Sequence, residues 1–235
     1  MCPATTPDRT TDRYVEWAPP PALAGRVACL WAREAGGARV QRVVPDGCVD
    51  LIWGPEGAYV AGPDTTAFLA PMRAGERLTA LRFRPGAVGD VFGVPVEELR
   101  DRRVSLADLP GMEPRGPGDI QRVVAARFRE SAEPDASVPA VMRALRQGTT
   151  VGRVAWDLGL SERQLNRRCR AAFGYGPKIL QRVVRFQRAL ALARSGVRPA
   201  DVAAACGYAD QAHMANDVRR LAGTSLGHLL GGNAA

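Results

Sequence analysis

Residues 154–174 read V-A-W-D-L-G-L-S-E-R-Q-L-N-R-R-C-R-A-A-F-G, and residues 202–223 read V-A-A-A-C-G-Y-A-D-Q-A-H-M-A-N-D-V-R-R-L-A-G. Val154 and Val202, Ala155 and Ala203, and Gly159 and Gly207 are each 48 positions apart, while Leu165 and Met214, Cys169 and Val218, and Gly174 and Gly223 are each 49 apart. One residue inserted in the second turn accounts for the change. In each copy, apolar residues at helical spacing run up to a glycine that can take φ > 0, the grammar of two short helices joined by a tight turn. A helix-turn-helix is the natural reading. Ser161 and Gln164 form an S-x-x-Q capping box at the second helix of the first copy, and Asp210 is the corresponding cap in the second.

The cores of the two copies align, but their outward faces differ. Leu165, Cys169 and either Ala172 or Phe173 face inward at spacings of four and three or four, which leaves Arg163, Asn166, Arg167 and Arg170 outward. Arginine can read guanine edges and asparagine adenine edges, and both can hold phosphate, so a helix lying in a major groove would carry such a face. The second copy offers Gln211, Ala212, His213 and Asn216, with Arg219 and Arg220 near its end and Asp217 placed to oppose phosphate. Between the copies, Ile179, Val183, Phe186, Leu190 and Ala193 recur at helical spacing and predict one amphipathic connector helix over Lys178–Arg194.

These features resemble the tandem helix-turn-helix domain of the AraC/XylS family of bacterial transcription regulators. The match runs from about Val138 to Leu230 through L-G-L-S-E-R-Q-L-N-R-R, the connector G-Y-G-P-K-I-L-Q-R-V-V-R-F-Q-R-A-L and C-G-Y-A-D-Q-A-H-M. Met214 and Val218 stand where the family usually has phenylalanine, and Leu226, Leu229 and Leu230 where it often has proline, tyrosine and arginine. The resemblance implies base-contacting roles for Arg163, Asn166 and Arg167. It also implies double-stranded DNA and RNA polymerase as partners, and a small-molecule effector or a second copy of the chain as partner of the N-terminal half.

Charge divides the 235-residue chain in the same place. From Ala140 onward there are 15 Lys+Arg against 5 Asp+Glu, a net +10, and since the whole chain carries +8 the first 139 residues carry −2. A polyanionic partner is therefore expected for the second half alone. The length suits two ordinary domains.

Toward the N-terminus, residues 1–12 read as a disordered lead-in. Short apolar or alternating runs then appear at Val27–Trp31, Val40–Val44, Val49–Trp53, Tyr59–Ala61 and Leu78–Phe83, which are strand signals, with Asp46-Gly47 as a hairpin turn between two of them. After Pro85 a short helix is expected from Gly86 to Phe92, and turns with one-turn helices from Pro95 to Leu109. The segments P-D-G-C-V-D-L-I-W, R-F-R-P-G-A and P-V-E-E-L-R-D-R-R-V-S-L are similar to a poorly characterised N-terminal domain found in one AraC-like subgroup. Gly111–Gly118 reads as a hinge, followed by a helix over Asp119–Arg129 that either connects domains or subunits or covers its own domain. Val138–Arg146 reads as the first helix of the DNA-binding domain.

The expected fold is thus α+β with two domains. Residues 13–110 form a small, mainly antiparallel β-sheet or partial barrel with short helices that senses an effector or dimerises. Residues 111–137 form a hinge and linker helix, and residues 138–232 an all-α domain of two helix-turn-helix units joined by a connector helix.

No enzyme, metal or cofactor is expected. Both histidines, His213 and His228, lie in the repeat domain, so the N-terminal half has none for a catalytic triad or a His-rich metal site. Asp46 and Asp50 could pair as carboxylates on one strand, though turn formation and surface solvation account for them more simply. The cysteines at 2, 29, 48, 169 and 206 show no paired spacing, which argues against disulfides, a zinc site or the four-cysteine cluster of DNA alkylation-repair regulators. Cys169 and Cys206 read as core, and a thiol sensor at Cys29 or Cys48 stays open. No apolar run reaches the roughly 20 residues of a membrane span, and the N-terminus lacks a signal-peptide core, so a cytoplasmic protein is expected. The expected function is sequence-specific regulation of transcription, with recognition helices in successive major grooves. The alternative is a ligand-binding or scaffold protein whose basic domain holds nucleic acid nonspecifically.

Overall fold

The computed structural model describes residues 12–231. The lead-in expected over residues 1–12 lies outside these residues except for Asp12, whose carboxylate pairs with Arg33 and Arg39.

Among the described residues, eight strands and one short α-helix precede the linker. They are β1 (Arg13–Trp17), β2 (Val27–Glu34), β3 (Arg39–Val43), β4 (Asp50–Gly54), β5 (Gly57–Ala61), β6 (Phe68–Met72), β7 (Arg77–Phe83), α1 (Val96–Leu99) and β8 (Arg103–Ser105). Six of the strands form an antiparallel sheet in the order β1-β2-β7-β4-β5-β8, while β3 and β6 pair as a separate two-stranded sheet. Strand alternation sends Leu30, Leu51, Val60 and Leu81 to one face, where they meet Phe83, Phe92, Val96 and Leu99 in the domain's main core. The next helix, α2 (Ile120–Glu130), buries Ile120 and Val124 in that same core, with Phe128 packed edge-on against Phe83. Of the two roles open to this helix, the packing observed is coverage of its own sheet.

Three expectations change here. The Asp46-Gly47 turn exists, with Gly47 at φ +82° and Asp46 accepting the Cys48 amide at 2.8 Å, but it does not close a hairpin. It carries the chain from one sheet to the other, and β4 instead turns back directly into β5. No helix forms from Gly86 to Phe92. Gly86 and Gly89 take positive φ, and the buried Arg26 draws the carbonyls of Ala87 (2.9 Å) and Val88 (2.6 Å) to its guanidinium, leaving a series of turns. Asp46 keeps the turn role and part of its exposure, but Asp50 is buried rather than solvated, and the two are not a free carboxylate pair. Arg82 stands between them, with two hydrogen bonds of 2.9 Å to Asp50, whose other partner is the Trp31 indole at 3.2 Å.

The C-terminal half is helical: α3 (Val138–Arg146), α4 (Val151–Asp157), α5 (Glu162–Phe173), α6 (Pro177–Arg194), α7 (Pro199–Ala205), α8 (Gln211–Ala222) and α9 (Leu226–Gly231). Proline in the first turn starts α6 one residue earlier than periodicity suggests, and at about 1.5 Å per residue its 18 residues span roughly 27 Å. Its buried surface is wider than the five-residue stripe, because Leu180, Val184 and Ala189 join Val183, Phe186, Leu190 and Ala193, while Ile179 is only half-buried. Both helix-turn-helix units therefore share one core with α6 as its axis. Met214 and Val218, at 2% and 0% exposure, are core residues at the positions where the resembling family usually has phenylalanine.

Candidate nucleic-acid interface

In both units the turn is made by a glycine in the left-handed region, Gly159 at φ +65° and Gly207 at φ +72°. A side chain there would strain the backbone, and the turn angle decides how the following helix is presented. Ser161 accepts the Gln164 amide at 3.2 Å and Gln164 accepts the Ser161 amide at 2.8 Å, so the capping box closes in both directions at the start of α5. Asp210 does the same work at α8, accepting the His213 amide at 2.6 Å.

With Leu165, Cys169, Ala172 and Phe173 all buried, α5 presents Arg163, Asn166, Arg167 and Arg170 to solvent. Arg163 and Arg167 have no hydrogen-bonding or ionic partner among the described residues, so their forks are free for a ligand. Arg170 is not. Its Nε donates to Asn166 Oδ1 at 3.1 Å and its terminal nitrogen pairs with Glu97 of α1, across the domain boundary. Sequence reasoning missed Glu97, because nothing local marks a residue 73 positions away as the neighbour of a recognition helix.

Helix α8 buries Met214, Val218, Leu221 and Ala222 and exposes Gln211, Ala212, His213, Asn216, Arg219 and Arg220. His213 is partly committed, since its Nδ1 accepts the Ala209 amide at 3.3 Å and its ring stands edge-on to Tyr208, which leaves Nε2 as the free ring nitrogen. Asp217 does not oppose phosphate. It is 7% exposed and turns inward to Arg185 (2.8 Å) and Arg182 (3.3 Å) of α6, so it ties α8 to the connector. The result is a second face of amides and an imidazole where the first has guanidiniums.

The N-terminal domain sits directly on this helical unit. Arg42 of β3 donates to the Ala222 carbonyl at the end of α8 (2.7 Å), Gln187 of α6 to the Pro45 carbonyl (2.5 Å) and Arg100 to the Gly174 carbonyl (3.3 Å). The fit is close at Gly86, where a Cβ would stand 2.6 Å from Val138 and 2.7 Å from Phe173. Burial pushes the Cys48 thiol well above the ordinary range and Cys29 also upward, and it pushes core Cys169 up to about 12. Among the described residues no cluster of three or more His, Cys, Asp or Glu could hold a metal ion, and no helix is long and apolar enough to cross a membrane.

Residues 154–231 match a family described as helix-turn-helix domain, and residues 15–105 match a domain of unknown function (DUF6597). No curated protein matches the chain. Solved structures with similarity include an apo variant of ToxT from Vibrio cholerae strain SCE256, 8% identical over 93% of this chain and 96% of that one, with a TM-score of 0.46. ToxT from Vibrio cholerae O395 is 6% identical over 83% of this chain and 94% of its own, with a TM-score of 0.45. Wild-type ToxT from strain SCE256 with bound unsaturated fatty acid is 7% identical over 94% of each chain, with a TM-score of 0.43.

Proposed function

We propose, from the AraC-type tandem helix-turn-helix domain that this chain carries behind a DUF6597 domain, that it regulates transcription by reading a specific double-stranded DNA site with α5 and α8. One observation carries the reading: two capped helices with exposed arginine, amide and imidazole faces are fixed to one core along the single helix α6. Successive major grooves on one side of DNA lie about 34 Å apart, so one molecule reaches both only if its two recognition helices are held at a set separation. A rigid α6 meets that requirement. The net charge of +10 from Ala140 onward supplies the attraction to phosphate. The N-terminal domain, seated on α5, α6 and α8, is the part that would sense an effector and pass its state to the DNA-binding helices. Contact with RNA polymerase follows from regulation of this kind.

The test is a competition gel shift between the DNA upstream of the protein's own coding sequence and random DNA of the same length. Preferential binding to the upstream DNA by about 1,000-fold or more is the expected result for a specific regulator. Equal affinity would leave a nonspecific nucleic-acid binder and remove the regulator reading.

A second experiment probes the pairing of Glu97 with Arg170. Phosphate must compete with Glu97 for that guanidinium, and an exposed ion pair of this kind is worth about 0.2 to 1 kcal/mol. Where Arg170 already reaches phosphate in the wild type, Glu97→Gln should therefore tighten DNA binding by a factor of about 1.5 to 5 with the slope of log K against log salt unchanged; where the pair keeps Arg170 off the DNA, the substitution should steepen that slope by about 0.9. Both quantities come from one salt titration, and no change in either would place Arg170 away from the DNA backbone.

A further inference from the structure

The six-stranded sheet is apolar on both faces. Opposite the main core, Trp31, Ile52 and Ala80 form a second cluster with Tyr59 and Leu78 packed against it. The two-stranded β3–β6 sheet lies over this face without filling the space, and a cavity of about 370 Å³ remains between them, within the range of small-molecule sites. Gln41, Phe68, Ala70 and Met72 line it from β3 and β6, and Gln187, Leu190 and Arg194 from α6.

Its polar groups are arranged in a belt. Cross-strand register puts Arg82, Asp50, Ala61 and Arg103 in one row across β7, β4, β5 and β8, beside the row of Ala80, Ile52 and Tyr59. Arg82 is held by Asp50, and Arg103 by Asp64 through bonds of 2.8 and 2.7 Å, with its guanidinium 4.0 Å over the Phe68 ring. Counting all charged lining residues, five arginines (33, 42, 82, 103 and 194) face three aspartates (46, 50 and 64). Asp12 takes up part of the surplus at Arg33. Two cations remain without a carboxylate among the described residues. Arg42 spends one nitrogen on a backbone carbonyl, and Arg194 has no partner there. One belongs to each domain.

We propose that this cavity binds a small amphipathic organic anion, with its flat apolar body against Trp31, Ile52 and Tyr59 and its anionic group toward Arg42 and Arg194. The proposal rests on the reading of the N-terminal domain as a sensor and supplies its ligand class. A cationic ligand would meet the surplus positive charge. A neutral polyol could stack on the aromatic rings but would leave both guanidiniums unmatched. Because the anion would touch β3 and α6 together, its binding would bear on how the domains sit on each other.

Two fluorescent dyes of similar body test this on the full chain: 8-anilinonaphthalene-1-sulfonate, an anion, and N-phenyl-1-naphthylamine, which is uncharged. The anion should bind one to one and at least about tenfold tighter than the neutral dye. Arg194→Glu should weaken the anion by about tenfold or more and the neutral dye by less than about twofold, and Arg42→Gln, on the other domain, should show the same selective loss. Ala70→Trp, which fills the cavity, should abolish both signals while circular dichroism stays that of the folded chain. Equal affinities for the two dyes, or parallel losses of both in Arg194→Glu, would overturn the proposal. Gel shifts with and without the anion keep the two ideas apart, since charge-selective binding that leaves DNA affinity unchanged would defeat the sensor reading while the anion site stands.

Discussion

Replacing Phe186 with alanine should lower the stability of the DNA-binding domain by about 3 to 5 kcal/mol, a large part of the 5 to 15 kcal/mol typical of a domain. The ring is fully buried, and it belongs to a cluster that also holds Leu165 and Cys169 of the first unit and Val202, Met214 and Val218 of the second. Removing it leaves a void in the core that both units share. Amide hydrogen exchange can therefore ask more than whether the protein is weaker, because α5 and α8 should lose protection together and by similar amounts. A two-domain chain need not unfold in one step, so exchange read helix by helix is a sharper measure than a single melting midpoint. Loss of protection confined to one unit would mean that each has its own core and that α6 does not couple them.

The tandem units were legible in the sequence because their signals are local: a capping box, a glycine turn and apolar residues three and four apart all act within one helix or its neighbour. Strands β2, β3, β4, β5 and β7 were legible by alternation or apolar runs, but which strand pairs with which was not. Asp46-Gly47 has the chemistry of a hairpin turn, yet β3 pairs with β6, because two-sided apolarity of the large sheet calls for a second layer and β3 serves in it. Strand β6 is broken in sequence by Pro71, tolerable because β6 has only one neighbour, and β8 has just three residues. Strand β1 is exposed along its whole length and so lacks the apolar face that would distinguish it. Candidate-site residues were legible where exposure follows from helical phase. Asp217 was misread because its partners, Arg182 and Arg185, lie on another helix, and the engagement of Arg170 was missed because Glu97 lies in another domain.

On its cognate DNA, alanine at Arg163, Asn166 or Arg167 should cost about 1 to 3 kcal/mol each, with smaller losses on random sequence. Arg163 and Arg167 should show this most cleanly, since neither must first leave a protein partner. An equal loss on every DNA from Arg167→Ala would reassign it to the phosphate backbone. Salt dependence then separates the two helices, because removing one phosphate-binding cation lowers the slope of log K against log salt by about 0.9. Arg167→Ala with Arg170→Ala should flatten the slope if either residue holds phosphate, with Arg170 contributing only after it has exchanged Glu97 for DNA. Gln211→Ala with Asn216→Ala should leave the slope nearly unchanged and relax preference at one end of the site, where amides suited to adenine edges would be missing. The inward turn of Asp217 strengthens this expectation, for the second face then offers amides and one imidazole from Gln211 to Asn216, with Arg219 and Arg220 following only in the last turn. Phosphate affinity would come mainly from the first unit and modest adenine-biased selectivity from the second. A slope flattened as much by the second pair as by the first would show that both helices bind the backbone alike, and that division of labour would be wrong.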